Sequence, residues 1–313
     1  MIESPIALER DAQRRSTDEQ REFERRQVAA HYEQDANIFS LVLDSQLTYS
    51  TGIFHSDSED LETAQRRKCE HVRKLLRIKP GEEVFDAGCG WGSLLLYLAE
   101  HTEGRCRGVT LSAKQRDVTL QRALERRLDR RVRVDVTHVG DVSLEPESVD
   151  VIIFSGSIVH VHARETIHQW IARSLRPGGR LLISDCYFPA VGRGSRDSEA
   201  TEYILGRTLG YCRLLTLSEE LNLIEKSGLD VRSVEDLTSS YVHTVSHWIN
   251  NIRRNRKHIE ELAPGFAHIL QCYMTIGRLS FLRRTALEYM IVATKGQIDH
   301  DLDDWSMTGM GSR

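Results

Sequence analysis

One ten-residue run constrains this chain more than any other: Val84-Phe85-Asp86-Ala87-Gly88-Cys89-Gly90-Trp91-Gly92-Ser93. An apolar, strand-like stretch leads straight into three glycines at alternate positions, and a helical pattern follows. Residues without side chains let the backbone turn sharply and come close to a ligand. The run therefore predicts the first strand–loop–helix crossing of a nucleotide-binding α/β sheet.

The rest of the chain supports that start. Helical periodicity is expected over 61–76, ended by Lys79-Pro80-Gly81, and again over 93–101, 113–128 with Ser112 as N-cap, and 164–175. Strand patterns fall between them at 83–86, 106–111, 132–139, 149–155 and 180–184. Helices alternating with strands predict a doubly wound, Rossmann-like parallel sheet. Beyond it the sequence predicts a helix over 218–227, a strand over 231–236, one long helical stretch over 244–282 and a last strand over 287–294. The expected organisation is an N-terminal helical segment or lid over 1–60, with a polar helix over 7–34. A single catalytic domain over 61–296 follows, carrying substrate-covering insertions within 186–285, and then a flexible tail over 297–313.

Composition narrows the function. A net charge of -4 gives no bulk attraction for nucleic acid, and no apolar run approaches the ~18 residues of a membrane span. The six cysteines are scattered without metal-ligand or C-x-x-C spacing, so reduced thiols, no metal and a cytoplasmic location are expected. Self-association is left open.

A glycine motif alone also suits a dinucleotide, but two details argue otherwise. Ser93 occupies the place of the third glycine of G-x-G-x-x-G, and Gly108-Val109-Thr110-Leu111-Ser112 lacks the acidic residue that would take a ribose. The loop and the following helix start suit the carboxylate and amine of a methionine moiety.

The runs DAGCGWGS, GVTLSAKQ and LRPGGRLLISD resemble class I methyltransferases. Together with LDSQLTYSTGIF, SSYVHTVSHWINNIRRN and TIGRLSFLRRTALEYMIVATKG they resemble the cyclopropane-fatty-acid and mycolic acid cyclopropane synthase family, from about Tyr32 to Gly296. The resemblance implies S-adenosyl-L-methionine as cofactor and S-adenosyl-L-homocysteine as product. It implies cofactor contacts from Tyr49 and Ser50, from Asp86, Gly88 and Gly90, from Thr110, Leu111 and Gln115, from Asp141 and Val142 beside the adenine, and from Ser155 beside the sulfonium.

The family's cyclopropane-forming members hold a bicarbonate base through a cysteine, a glutamate, a histidine and a tyrosine. This chain has Thr51, His160 and Ser184 at the first three places and keeps only Tyr241. His160 sits just after the fourth strand, where ligands bind in such sheets, and a neutral imidazole accepts a proton near pH 7. His160 is therefore the expected base, with His162 as the alternative, while His168 reads as structural. Tyr203 and Tyr241 are candidate orienters or proton relays.

The expected reaction is C-methylation of an alkene carbon in a hydrophobic, prenylated small molecule through a carbocation, closed by proton loss or cyclisation. A diphosphate on that substrate would call on Arg193, Arg196, Arg253, Arg254 or Arg256. The alternatives are an acyl-chain cyclopropane synthase or methyltransferase, an N- or O-methyltransferase, and a catalytically silent cofactor-binding protein.

Overall fold

The computed structural model describes residues 17–32, 36–190 and 212–296. Seven strands form one sheet in the order β3-β2-β1-β4-β5-β7-β6. The strands are β1 (Glu83–Ala87), β2 (Arg105–Thr110), β3 (Val132–Val136), β4 (Val149–Ser155), β5 (Leu175–Tyr187), β6 (Asp230–Asp236) and β7 (Leu287–Thr294). The first five run parallel, and β7 inserts antiparallel between β5 and β6. Strand order reverses at β1 and β4, which opens a crevice at their C-terminal ends, the usual ligand position in open α/β sheets.

The strands are apolar on both faces because helices cover both faces. On β1, Val84 joins Val151, Ile153 and Leu182 in one core, while Phe85 and Ala87 join Ile152, Phe154 and Ile183 in the other. Among the described helices, α1 (Thr17–Tyr32) and α2 (Ala36–Val42) precede the sheet, and α3 (Leu61–Leu76), α4 (Ser93–His101), α5 (Ala113–Glu125), α6 (Arg164–Ser174) and α7 (Leu217–Lys226) flank it. Three more, α8 (Thr238–Arg254), α9 (Arg256–Leu262) and α10 (Phe266–Leu282), pack with α2 around Trp248, Ile252 and Tyr273 as a cap over the crevice.

Several expected boundaries move. The single stretch over 244–282 is three helices: the chain breaks at Asn255 and again at Pro264-Gly265, where Gly265 has φ 82°. Pro264 cannot continue the amide ladder, and the left-handed turn falls on the residue that tolerates it. The helix expected to reach 128 stops at Glu125, with Arg127 left-handed at φ 59°. The strand expected to reach 139 ends at Val136, and a short 3-10 turn over Val139–Asp141 follows. Ser112 caps α5 as expected, accepting from the Gln115 amide.

Candidate active site

The glycine loop is wound by its own backbone. Gly88, Gly90 and Gly92 have φ of 108°, 53° and 78°. The Cys89 amide donates to Val109 O across the sheet at 2.9 Å, which ties the loop to β2. At Gly88 a Cβ would lie 2.5 Å from the Ser157 Cβ, so the loop can pass the β4 turn only as glycine. At Gly90 a Cβ would meet no protein atom within 4 Å. The backbone here faces open space.

That space is a cavity at the C-terminal ends of β1 and β4. It is lined by Tyr49, Ser50, Asp86, Gly88, Gly90, Thr110, Leu111, Gln115, Ser155 and His160, all of which the sequence singles out. The N-terminal residues of α4, Ser93 and Leu94, border it too, so the positive end of that helix faces the cavity. Thr110 Oγ1 donates to Gln115 Oε1, which joins the end of β2 to the first turn of α5.

Asp141 and Val142, also expected beside the cofactor, do not line this cavity. Asp141 is turned outward to Arg21 and Arg25 of α1, while Val142 is buried and its carbonyl accepts from Trp170 Nε1 at 3.0 Å. The wall at this height is Thr137, His138 and Val139. His138 Nδ1 accepts from the Gly140 amide, so Nε2 carries the proton and points at Glu24 Oε2, 3.0 Å away. Glu24 also accepts from the His162 amide, so α1 is clamped against this wall.

The sequence reading missed Lys68. It lies on the buried face of α3 and lines the cavity, where Nζ donates to Ser50 Oγ at 3.0 Å. A lysine four residues from both Ala64 and Val72 on an apolar helix face was the available signal. Beside it, Asp86 is buried and its Oδ1 has no hydrogen-bond partner among the described residues. Burial pushes the Asp86 carboxyl up to about 7, with Lys68 opposing. A buried acceptor without a donor, a neighbouring cation, a helix N-terminus and bare loop amides suit the zwitterionic end of an amino acid.

A second cavity lies under the helical cap. Tyr49, Ser50, Gly156 and His160 line both cavities, so these four residues form the junction. The segment carrying Tyr49 and Ser50 is held from the cap: the Gly52 amide donates to Thr244 Oγ1 at 3.0 Å, and the Phe54 amide to Ser240 Oγ at 3.1 Å. His160 is set by the short turn after β4, with Nδ1 3.6 Å from Cys212 Sγ. Tyr241 lies edge-on to Phe281 at 4.5 Å and to Trp248 at 6.1 Å, and all three line the second cavity. Burial raises the Tyr241 hydroxyl pKa well above its ordinary value.

The same cavity carries two acids that the sequence reading did not single out, Asp185 on β5 and Glu288 on β7. His168 is buried against Glu220 at 2.8 Å, as a structural histidine should be. Thr51 and Ser184 are buried as well, but only Thr51 lines the second cavity. Arg253, Arg254 and Arg256 are exposed and line neither cavity, while Tyr203, Arg193 and Arg196 lie outside the described residues.

Fold and site together define an S-adenosyl-L-methionine-dependent methyltransferase. The chain belongs to the mycolic acid cyclopropane synthetase family, whose pattern matches residues 19–289. A probable fatty acid methyltransferase of Pseudomonas putida is 28% identical over 312 residues, spanning 96% of this chain and 77% of the relative. The crystal structure of mycolic acid cyclopropane synthase CmaA1 complexed with SAH and CTAB superposes with a TM-score of 0.80 at 22% identity, over 87% of this chain and 98% of that one. Geranyl diphosphate C-methyltransferase from Streptomyces coelicolor A3(2), in complex with Mg2+, geranyl diphosphate and S-adenosyl-L-homocysteine, gives 0.66 at 19% identity, over 87% and 98%.

Proposed function

We propose that this methyltransferase transfers a methyl group to an alkene carbon of a prenyl or isoprenoid chain held in the second cavity. The observation that carries the proposal is the junction of two unlike cavities at Tyr49, Ser50, Gly156 and His160. One is lined by the glycine loop with Lys68 and Asp86, and the other is walled by Tyr241, Trp248, Tyr273 and Phe281. Aromatic walls suit a hydrocarbon chain and the cation it becomes.

The bound cofactor supplies an electrophilic methyl group. In the proposed site, Asp86 Oδ1 would accept from the amino group of its methionine end, while Lys68 and the loop amides would hold the carboxylate. Ser50 and Ser155, 3.5 Å apart through their hydroxyls, sit where the two cavities approach each other. The π electrons of the alkene would form the new C–C bond as the methyl–sulfur bond breaks and its electron pair stays on sulfur, giving S-adenosyl-L-homocysteine and a cation on the adjacent carbon. The rings of Tyr241, Trp248 and Phe281 stabilise that cation and exclude water. His160 then takes a proton from a neighbouring carbon, whose C–H electrons close the new double bond.

The His160→Gln variant tests this directly. With a panel of prenyl diphosphates, prenylated aromatics and unsaturated lipids, product should vanish while affinity for S-adenosyl-L-homocysteine stays within about twofold of wild type. Unchanged turnover would remove His160 from the mechanism. A second reading, methylation or cyclopropanation of an acyl chain, draws support from the family match and the fatty acid methyltransferase relative. It predicts turnover on unsaturated lipids and none on prenylated compounds.

A further inference from the structure

We propose that Asp185 and Glu288 form a built-in counter-anion for the second cavity, making it a binding site for a hydrophobic organic cation. The inference rests on the proposed carbocation reaction and names the group that would stabilise its charge.

Neighbouring strands bring both carboxyls to the second cavity. Asp185 and Glu288 sit on neighbouring antiparallel strands, β5 and β7, where Asp185 pairs with Tyr289 and Cys186 with Glu288. Both are almost fully buried, at 2% and 4% exposure, and both line the second cavity. Each is held in place. Asp185 accepts from the Cys186 amide at 2.8 Å and the Val159 amide at 3.3 Å. Glu288 accepts from the Ser184 hydroxyl at 3.1 Å and the Cys186 thiol at 3.3 Å. Among the described residues, neither has an ion-pair partner within 4 Å.

Acids in such a place are costly unless the site uses them. Burial pushes Asp185 up to about 6, and burial together with Asp185 pushes Glu288 up to about 8. At neutral pH the pair therefore holds one proton and one negative charge, next to the aromatic wall of Tyr241 and Phe281. One fixed charge in a water-poor cavity acts far more strongly on a cation than it would in bulk water.

The groups facing the pair are few. Arg164 of α6 and Glu220 of α7 act on Asp185 in opposite directions, and Lys68 of α3 acts on Glu288. Among the described residues, Cys186 on β5, Cys212, Tyr49, Tyr241, Tyr273 and His160 also line the cavity. The thiols of Cys186 and Cys212 and the Tyr241 hydroxyl are all raised by burial and stay neutral near pH 7. An imidazole losing its proton with rising pH would favour a cation with the same sign, so the test must separate it from the acids.

Hexyltrimethylammonium and its uncharged counterpart, with tert-butyl in place of trimethylammonium, serve as probes. Both are titrated into the chain saturated with S-adenosyl-L-homocysteine and followed by tryptophan fluorescence. At pH 7 the wild type should bind the ammonium at least about tenfold more tightly than the neutral probe. Its affinity for the ammonium should rise about tenfold from pH 5 to pH 7, as Asp185 ionises with its pKa of about 6. The double variant Asp185→Asn, Glu288→Gln keeps His160. It should bind both probes alike and lose the pH dependence.

A wild type indifferent to charge, or a double variant that keeps either the preference or the pH rise, would overturn the proposal. The wild-type comparison needs no mutation, so a misfolded variant cannot shield the idea. If wild type binds S-adenosyl-L-homocysteine and discriminates the probes but methylates no alkene, the reaction fails and the cation site stands.

Discussion

Replacing Asp86 with Asn should make the ligand-free chain more stable at alkaline pH while abolishing cofactor binding. Burial raises the Asp86 pKa from 3.8 to about 7. Each tenfold change in an ionisation constant is worth about 1.4 kcal/mol, so above pH 7 the ionised carboxylate costs the fold about 4 kcal/mol. Between pH 4 and 7 the folded chain holds a proton that the unfolded chain has released, so stability falls as pH rises through this window. Below pH 4 the carboxyl is neutral in both states and the penalty is gone. An Asn has nearly the same shape and never ionises. At pH 8 the variant should melt roughly 10 °C above wild type, and at pH 4 the gap should shrink to below about 1 kcal/mol. A hundredfold excess of S-adenosyl-L-homocysteine over its Kd should stabilise wild type by about 2.7 kcal/mol and the variant hardly at all. Thermal melts at both pH values, with and without the ligand, test both halves. A variant that melts below wild type at pH 8, or that gains as much from the ligand, would refute the reasoning.

Three further outcomes follow from the same structure. Gly88→Ala forces a Cβ to within 2.5 Å of Ser157 Cβ at a φ of 108°, and should cost about 2–4 kcal/mol in denaturant unfolding together with at least about tenfold in cofactor affinity. Glu220→Ala removes the shared partner of Arg164 and His168, both buried. Burial works against the Glu220 charge, but Arg164 and His168 outweigh it and hold the carboxyl below its ordinary value, so stranding Arg164 should cost about 3–5 kcal/mol in the same assay. Glu24→Leu breaks the clamp on His138 and the His162 amide, and should show as faster amide exchange in α1 with the sheet unchanged.

The sheet was legible where local pattern and tertiary context agree. The strands at Val149–Ser155 and Leu287–Thr294 and the helices at Leu61–Leu76 and Ser93–His101 fall at the expected residues, because apolar periodicity and punctuation coincide there. The cap was less legible, since Trp248 and Tyr273 are apolar on helices that look continuous until Pro264 and Gly265 interrupt them. At the site, the glycine loop could be read from spacing, and the contacts at the strand ends from the family resemblance. Lys68 could not, because its place depends on how α3 packs against β1. Asp185 and Glu288 are 103 residues apart and reach one cavity only because β5 and β7 are neighbours in the sheet. Asp141 follows β3 where a ligand is expected, and its carboxylate is held by Arg21 and Arg25 of α1, a pairing that no local spacing announces.

The central claim is that the methyl group reaches carbon. Incubation with cofactor labelled with 13C at the methyl group, followed by NMR of the product, reads the destination directly. The account predicts a labelled methyl on a former alkene carbon of a prenyl chain, with a double bond or ring closed beside it. A labelled methyl on nitrogen or oxygen would contradict it.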